Sequence, residues 1–206
     1  MKDAAKNILL KIMRLKLLVV ILLVGASLVQ AQESKNTTPA IQKGSTFLNT
    51  YLEYFDNVSP SREISVFNLN VERGCYPLKP LSLIGGLHML FASGYRVYAG
   101  YPRKTKDTDV LGLGFAGTVR YDLVRVKRSA LFIDASLGFL LCTDKFPPDG
   151  TFWNFTQRYT AGVSLKIHKK VNLLMGARHL HVSNAGYKRN PSYDGNGPFA
   201  GVMFGF

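Results

Sequence analysis

Hydrophobic and polar positions alternate along most of this chain. From Trp153 to Ile167 the odd positions are Trp153, Phe155, Gln157, Tyr159, Ala161, Val163, Leu165 and Ile167; the even ones are Asn154, Thr156, Arg158, Thr160, Gly162, Ser164 and Lys166. One face is apolar and aromatic except for a glutamine, and the other is polar or glycine. A period of two marks a strand, and this one far exceeds the roughly 5–6 residues of an average soluble strand. The same split recurs upstream. Leu111, Leu113, Phe115, Val119, Tyr121 and Leu123 oppose Gly112, Gly114, Ala116, Thr118, Arg120 and Asp122, while Leu131, Ile133, Ala135, Leu137, Phe139 and Leu141 oppose Asp134, Ser136 and Gly138. Eight strands are predicted, at about 46–55, 63–75, 81–93, 110–123, 130–142, 153–167, 171–183 and 195–206. In the third, "LSLIGGLHMLFAS" suits either face.

A soluble sandwich would turn its apolar faces inward and its charges to water. A small membrane barrel inverts this: the apolar face meets lipid, and small polar residues fill a narrow lumen where charges must pair. Arg120, Arg158, Lys166 and Arg178 stand against Asp122 and Asp134 on the polar faces. An even strand count closes the sheet and leaves no edge, which lipid requires. The expected fold is therefore an all-β, eight-stranded antiparallel transmembrane β-barrel. Val202, Phe204 and Phe206 share a face, and an apolar last strand ending in an aromatic is typical of bacterial outer-membrane barrels. Segments such as "PLKP", "VRVKR" and "HKK" are short and predicted to face the periplasm; the long connections face outward.

The N-terminus supports export. A basic stretch with Lys2, Lys6, Lys11, Arg14 and Lys16 precedes the uncharged run "LLVVILLVGASLV" and the small residues before Gln32. This is the layout of a secretory signal peptide, and the run is short of the ~20 residues a spanning helix needs. Residues 1–31 are read as the signal, with cleavage after Ala31, residues 32–45 as a flexible lead-in, and 46–206 as the barrel domain; Met13 is an alternative start. Removing 1–31 takes five basic residues and one acidic one, lowering the formal charge from +13 to about +9. Such a surface suits an anionic partner, and export makes nucleic acid the least suitable. Arg103, Lys104, Lys106, Lys188 and Arg189 lie in the outward connections, where they are candidates to meet lipopolysaccharide phosphate. Cys75 and Cys142 are expected at opposite barrel ends, as free thiols.

"GARHLHVSNAG", Gly176 to Gly186, ends the seventh strand in a polar cluster. Val171, Leu173, Met175 and Ala177 set the lipid-facing parity, and His179, His181 and Ser183 continue it. Same-face neighbours lie about 6.6–6.8 Å apart along a strand, so the His181 ring can lean onto the Ser183 hydroxyl. A serine becomes a nucleophile when an adjacent base takes its proton, and the base needs a third group to hold its tautomer. Asp194, at the start of the eighth strand with the parity of Val202 and Phe204, is the candidate acid. Glu72 and Asp122 are alternatives in composition only, since both are expected in the lumen or at the wrong end. His179 reads as interfacial packing, and His88 and His168 as structural. The four histidines and two cysteines have no metal-ligand spacing.

"HVSNAG" followed by "RNPSYDG" on the last two strands of a small barrel resembles the PagL-type lipid A 3-O-deacylases. The resemblance covers 45–206 in architecture, and its specific part runs from His181 to Asp194. It implies His181 as base, Ser183 as nucleophile, Asp194 as orienting acid, and Asn184 with the amides near Ala185 and Gly186 as the oxyanion hole. It further implies lipid A as substrate, no cofactor, and an outer-membrane location. A second copy of the chain is a candidate partner. The acid is aspartate where the family pattern has glutamate, the spacing is one residue shorter, and Ser192 replaces a glycine. A non-enzymatic lipid- or ligand-binding barrel and an acyltransferase on the same serine are the competing functions.

Overall fold

The computed structural model describes residues 46–59, 62–78, 80–97, 105–126, 128–187 and 191–206. The signal peptide and lead-in read at 1–45 therefore lie outside the described residues. The strands are β1 (Thr46–Asn57), β2 (Arg62–Leu78), β3 (Leu81–Val97), β4 (Thr105–Val126), β5 (Ser129–Phe146), β6 (Thr151–His168), β7 (Val171–Ser183) and β8 (Tyr193–Gly205). Each pairs antiparallel with its sequence neighbours, and β8 pairs with β1 to close the barrel. The short β2–β3, β4–β5 and β6–β7 connections fall at one end, where β8 also finishes beside the start of β1: the Phe206 amide donates to the Thr46 carbonyl at 2.9 Å.

Several strands run farther than the alternation suggested. Thr105–Asp109 belongs to β4, Thr143–Phe146 to β5 and Tyr193–Asp194 to β8. Apart from Phe146 and Tyr193, which are buried in the lumen, these additions are polar, and the hydrophobic alternation that marks a membrane-spanning strand fades where both faces leave lipid.

The alternation itself holds. Leu113, Phe115, Leu131, Ile133, Leu137 and Tyr159 are exposed on the outer wall, and the intervening Thr118, Arg120, Asp134, Ser136, Arg158 and Thr160 are buried. The ambiguous third strand resolves the same way, with Leu83, Leu87 and Phe91 outward and Ile84, His88 and Leu90 inward. Three residues of the outward set depart from expectation: Val171 at the base of β7, Ser183 at its far end and Val202 of β8 are all covered.

The lumen is filled in three layers. Near the long-loop end sits an apolar cluster with Phe55, Ile64, Leu90, Phe146, Leu180 and Tyr193. Near the short-turn end sits another, with Phe47, Phe132, Leu174, Phe199 and Met203. Between them runs an ionic network. Arg178 pairs with Glu53 and, at 3.5 Å, with Asp134. Asp134 also takes Arg120 at 3.0 Å, and Arg158 lies 3.7 Å from Glu53 and 3.5 Å from Glu72. Each cation faces a carboxylate, which is the condition for burying charge at all. Glycines make the room: a Cβ on Gly197 would stand 1.6 Å from the Tyr54 carbonyl oxygen, so no larger residue fits opposite Arg178.

Cys75 pairs with Thr46 near the short-turn end and Cys142 with Gly112 near the other; both are free.

Candidate functional site

The polar cluster lies on the outer wall at the long-loop end. Leu180 and Val182 turn inward and are fully buried, so His179, His181 and Ser183 point out from β7, as the alternation requires. The register places Asp194 directly opposite His181, and Asn196 opposite His179. β8 keeps one register against β7 from Tyr193 to Phe204, through Pro198, so the parity of Asp194 survives the proline. His181 Nδ1 and Asp194 Oδ1 are 2.7 Å apart. The predicted base and acid thus meet in hydrogen-bond contact, and Ser183 follows two positions along the same face of β7. Glu72 and Asp122 are buried on the inner face, as expected, with Glu72 in the ionic network and Asp122 paired with Arg125.

The acid is held from behind. Tyr193 is fully buried, with its hydroxyl donating to the Phe55 carbonyl at 3.3 Å and its ring 5.5 Å from that of Phe146. Its alternation neighbour Asp194 is thereby turned outward. The Val58 amide donates to the Asp194 carbonyl at 2.9 Å, and Arg62 of β2 donates to the Pro191 carbonyl. These supports come from Phe55 of β1, Val58 just beyond it, Arg62 of β2 and Phe146 of β5, far from the site in sequence, so no local motif could reveal them.

Beyond Ser183 the chain turns at once. The Tyr187 amide donates to the Asn184 carbonyl at 3.1 Å, and Ala185 and Gly186 have φ of 54° and 81°. Two consecutive positive φ values define a type I′ turn. Glycine adopts this freely, but Ala185 pays roughly 1–2 kcal/mol for it. The bond closing the turn leaves the amides of Ala185 and Gly186 outside it. Asn184 is buried, and its side-chain amide donates to the Tyr187 carbonyl at 3.0 Å, fastening the turn that follows Ser183.

On its other side Ser183 borders an open apolar groove with Phe115, Leu137, Phe139 and Phe155. Ser183 pairs across the sheet with Phe155, which pairs with Phe139, which pairs with Phe115. Ring centroids along this row lie 5.7 and 6.1 Å apart. Ser183 is the last residue of β7, whereas its partners stand progressively farther from the long-loop ends of β6, β5 and β4. Strand tilt, which any closed barrel needs, turns the row into a ramp descending from the serine toward the short-turn end.

Of the basic residues expected to meet phosphate, Arg103, Lys104, Lys188 and Arg189 lie outside the described residues; Lys106 is in β4, paired with Arg96. Among the described residues no group of three or more His, Cys, Asp or Glu is arranged to hold a metal. His88 points into the lumen, away from the site.

The model of the lipid A 3-O-deacylase (PagL) family matches residues 81–202. The chain belongs to the PagL family. That match spans β3 to β8 and includes His181, Ser183 and Asp194. Among solved structures, the outer-membrane enzyme PagL superposes with a TM-score of 0.54 at 17% identity, covering 74% of this chain and 97% of that one. Neisserial surface protein A gives 0.55 at 15% identity, covering 80% and 100%. The N-terminal β-barrel domain of Pseudomonas aeruginosa OprF gives 0.50 at 11%, covering 80% and 98%. At these identities the likeness is one of fold. A comparison with curated proteins finds no match. Family and architecture together locate this PagL-family barrel in the bacterial outer membrane.

Proposed function

We propose that the protein is a serine esterase that removes an ester-linked acyl chain from lipid A. The observation that carries this reading is the 2.7 Å contact between His181 Nδ1 and Asp194 Oδ1 on the lipid-facing wall beside Ser183, in a chain of the lipid A 3-O-deacylase family. A carboxylate accepting the Nδ1 proton leaves the Nε2 lone pair free to act as base. In the proposed reaction Nε2 takes the Ser183 proton as Oγ attacks the ester carbonyl. The oxyanion is met by the Ala185 and Gly186 amides; the Asn184 side chain, a candidate from its position, is buried and engaged with the Tyr187 carbonyl instead. The imidazolium then protonates the leaving alkoxide, and an acyl-enzyme remains. Water, deprotonated by the same nitrogen, attacks the acyl-enzyme and releases the fatty acid and Ser183. The apolar ramp supports this substrate class. An acyl chain entering from the outer leaflet already points down the barrel wall, and the ramp receives it without leaving lipid.

Expression of the wild type and of Ser183→Ala, His181→Ala and Asp194→Ala in a host with unmodified lipid A tests the reading by mass spectrometry of the extracted lipid. Wild type removes one ester-linked chain. Ser183→Ala and His181→Ala each nearly abolish the loss, because members of a triad act as a unit, and Asp194→Ala is impaired less. Full activity in folded Ser183→Ala removes the nucleophile assignment. Recovery of the acyl group on another alcohol, not as free fatty acid, makes the enzyme an acyltransferase. An unmodified lipid with folded wild type leaves a binding barrel.

A further inference from the structure

His179 lies one alternation step below His181, on the same lipid-facing wall. The sequence gives it no role beyond the interface, but its contacts are specific. Its Nδ1 is 2.8 Å from Asn196 Oδ1. Its ring stacks on Tyr159, with centroids 6.4 Å apart and planes at 22°. Its Nε2 stands 3.7 Å from Asp194 Oδ1, the same oxygen that meets His181. A polar pair facing hydrocarbon is costly unless its members satisfy each other; His179 does so by donating Nδ1–H to Asn196 Oδ1, and its Nε2 then presents a second N–H toward the acid when the ring is the imidazolium.

Asp194 needs such help. Its side chain is 42% exposed, and its arm is one methylene shorter than that of a glutamate. An exposed carboxylate on a short arm can rotate away from His181, and the base then loses its tautomer. The geometry points to His179 as a positioning residue. Held by Asn196 and Tyr159, its imidazolium biases the Asp194 carboxylate toward the rotamer that orients His181. At 3.7 Å the contact is longer than a full hydrogen bond, so it weights one rotamer and does not clamp it. The role rests on the esterase reading for its effect on rate, but not for its effect on the His181 ring.

The test therefore has two arms. In the first, proton and nitrogen NMR of refolded protein in micelles follows the His181 Nδ1–H signal. It is sharp and downfield in wild type, weakened in His179→Phe, which keeps the ring stacked on Tyr159, and restored in His179→Gln, which returns an N–H donor. An unchanged signal in His179→Phe overturns the proposal whatever the enzyme does. In the second, deacylation is measured in a double-mutant cycle with Asp194→Ala. His179→Phe lowers kcat about tenfold with KM held, within the range of coupled neighbours, and costs nothing further once Asp194 is gone. Equal losses in both backgrounds overturn it, because the residue would then act independently of the acid. Wild type with no deacylation sinks the esterase reading and leaves the spectroscopic arm to decide the positioning role.

Discussion

The carboxylate of Asp194 has to contact one atom, His181 Nδ1, and that contact sets which imidazole nitrogen is free. Asp194→Asn keeps the size and the hydrogen bond but can impose the wrong tautomer. A loss of about 10²–10⁴-fold in kcat is expected, by analogy with the serine-protease triad, with KM little changed and the same heat-modifiable mobility on a gel. Asp194→Glu restores the acid that the family pattern carries and should retain most activity. Tyr193 acts on the same contact from inside the barrel. Tyr193→Ala removes a fully buried ring and should cost about 3–5 kcal/mol of stability by the large-to-small rule, read as a lower urea midpoint. It should also lower kcat, since the backbone that aims Asp194 loses its anchor. Tyr193→Phe keeps the ring and should lose only the hydroxyl contacts to the Phe55 and Ile64 carbonyls, with activity near wild type. These residues were legible to different degrees. His181, Ser183 and Asp194 stand on one strand face or across one turn, so spacing alone relates them. The supports that Val58, Arg62 and Phe55 give to Asp194, Pro191 and Tyr193 come from more than a hundred residues away along the chain and have no local signature.

β7 and β8 position the site because their pairing has a single register. Shifting a strand by one residue exchanges its faces, which would turn His181 and Asp194 into the lumen. Close packing against β1 guards the register. Gly197→Leu would drive a side chain into the Tyr54 carbonyl, 1.6 Å from where its Cβ would begin. We expect the variant to fail the heat-modifiability assay, or to fold with β8 displaced and no deacylation. Pro198 does not break β8, although it cannot donate to the ladder. The β1–β8 register has no pair between Glu53–Phe199 and Asp56–Asn196, so the interruption falls beside the proline and leaves the pairing with β7 intact.

At the scale of the whole molecule, the described lumen is filled by side chains. Two apolar clusters and an ionic network between them occupy the lumen, and planar-bilayer recordings of the refolded protein should show no open-channel conductance. The network also makes the barrel sensitive to single charge deletions. Arg178→Met leaves Glu53 and Asp134 without one of their cations, and a loss of about 3–5 kcal/mol is expected from urea unfolding in micelles. The double replacement Arg178→Met with Glu53→Gln should recover part of it, since the uncompensated charge is removed. Because these residues lie inside and the site lies outside, a folded Arg178→Met should keep its kcat.

Period-two alternation by itself determined the fold class, the strand number, most of the lipid-facing set of β4 to β7 and the outward parity of His181, Ser183 and Asp194. Each of these follows from one side chain in two meeting lipid, a rule read along the chain without reference to other strands. The departures from the family pattern, aspartate for glutamate and the shorter spacing, were equally visible. Only the tertiary structure decided which acid the base meets, because opposition across β7 and β8 depends on register, and register depends on packing against β1. It also supplied Glu53 as the shared partner of Arg158 and Arg178, the ramp beside Ser183, and the second histidine on Asp194. All of these arise from barrel closure and strand tilt, which bring together side chains that a linear pattern keeps apart.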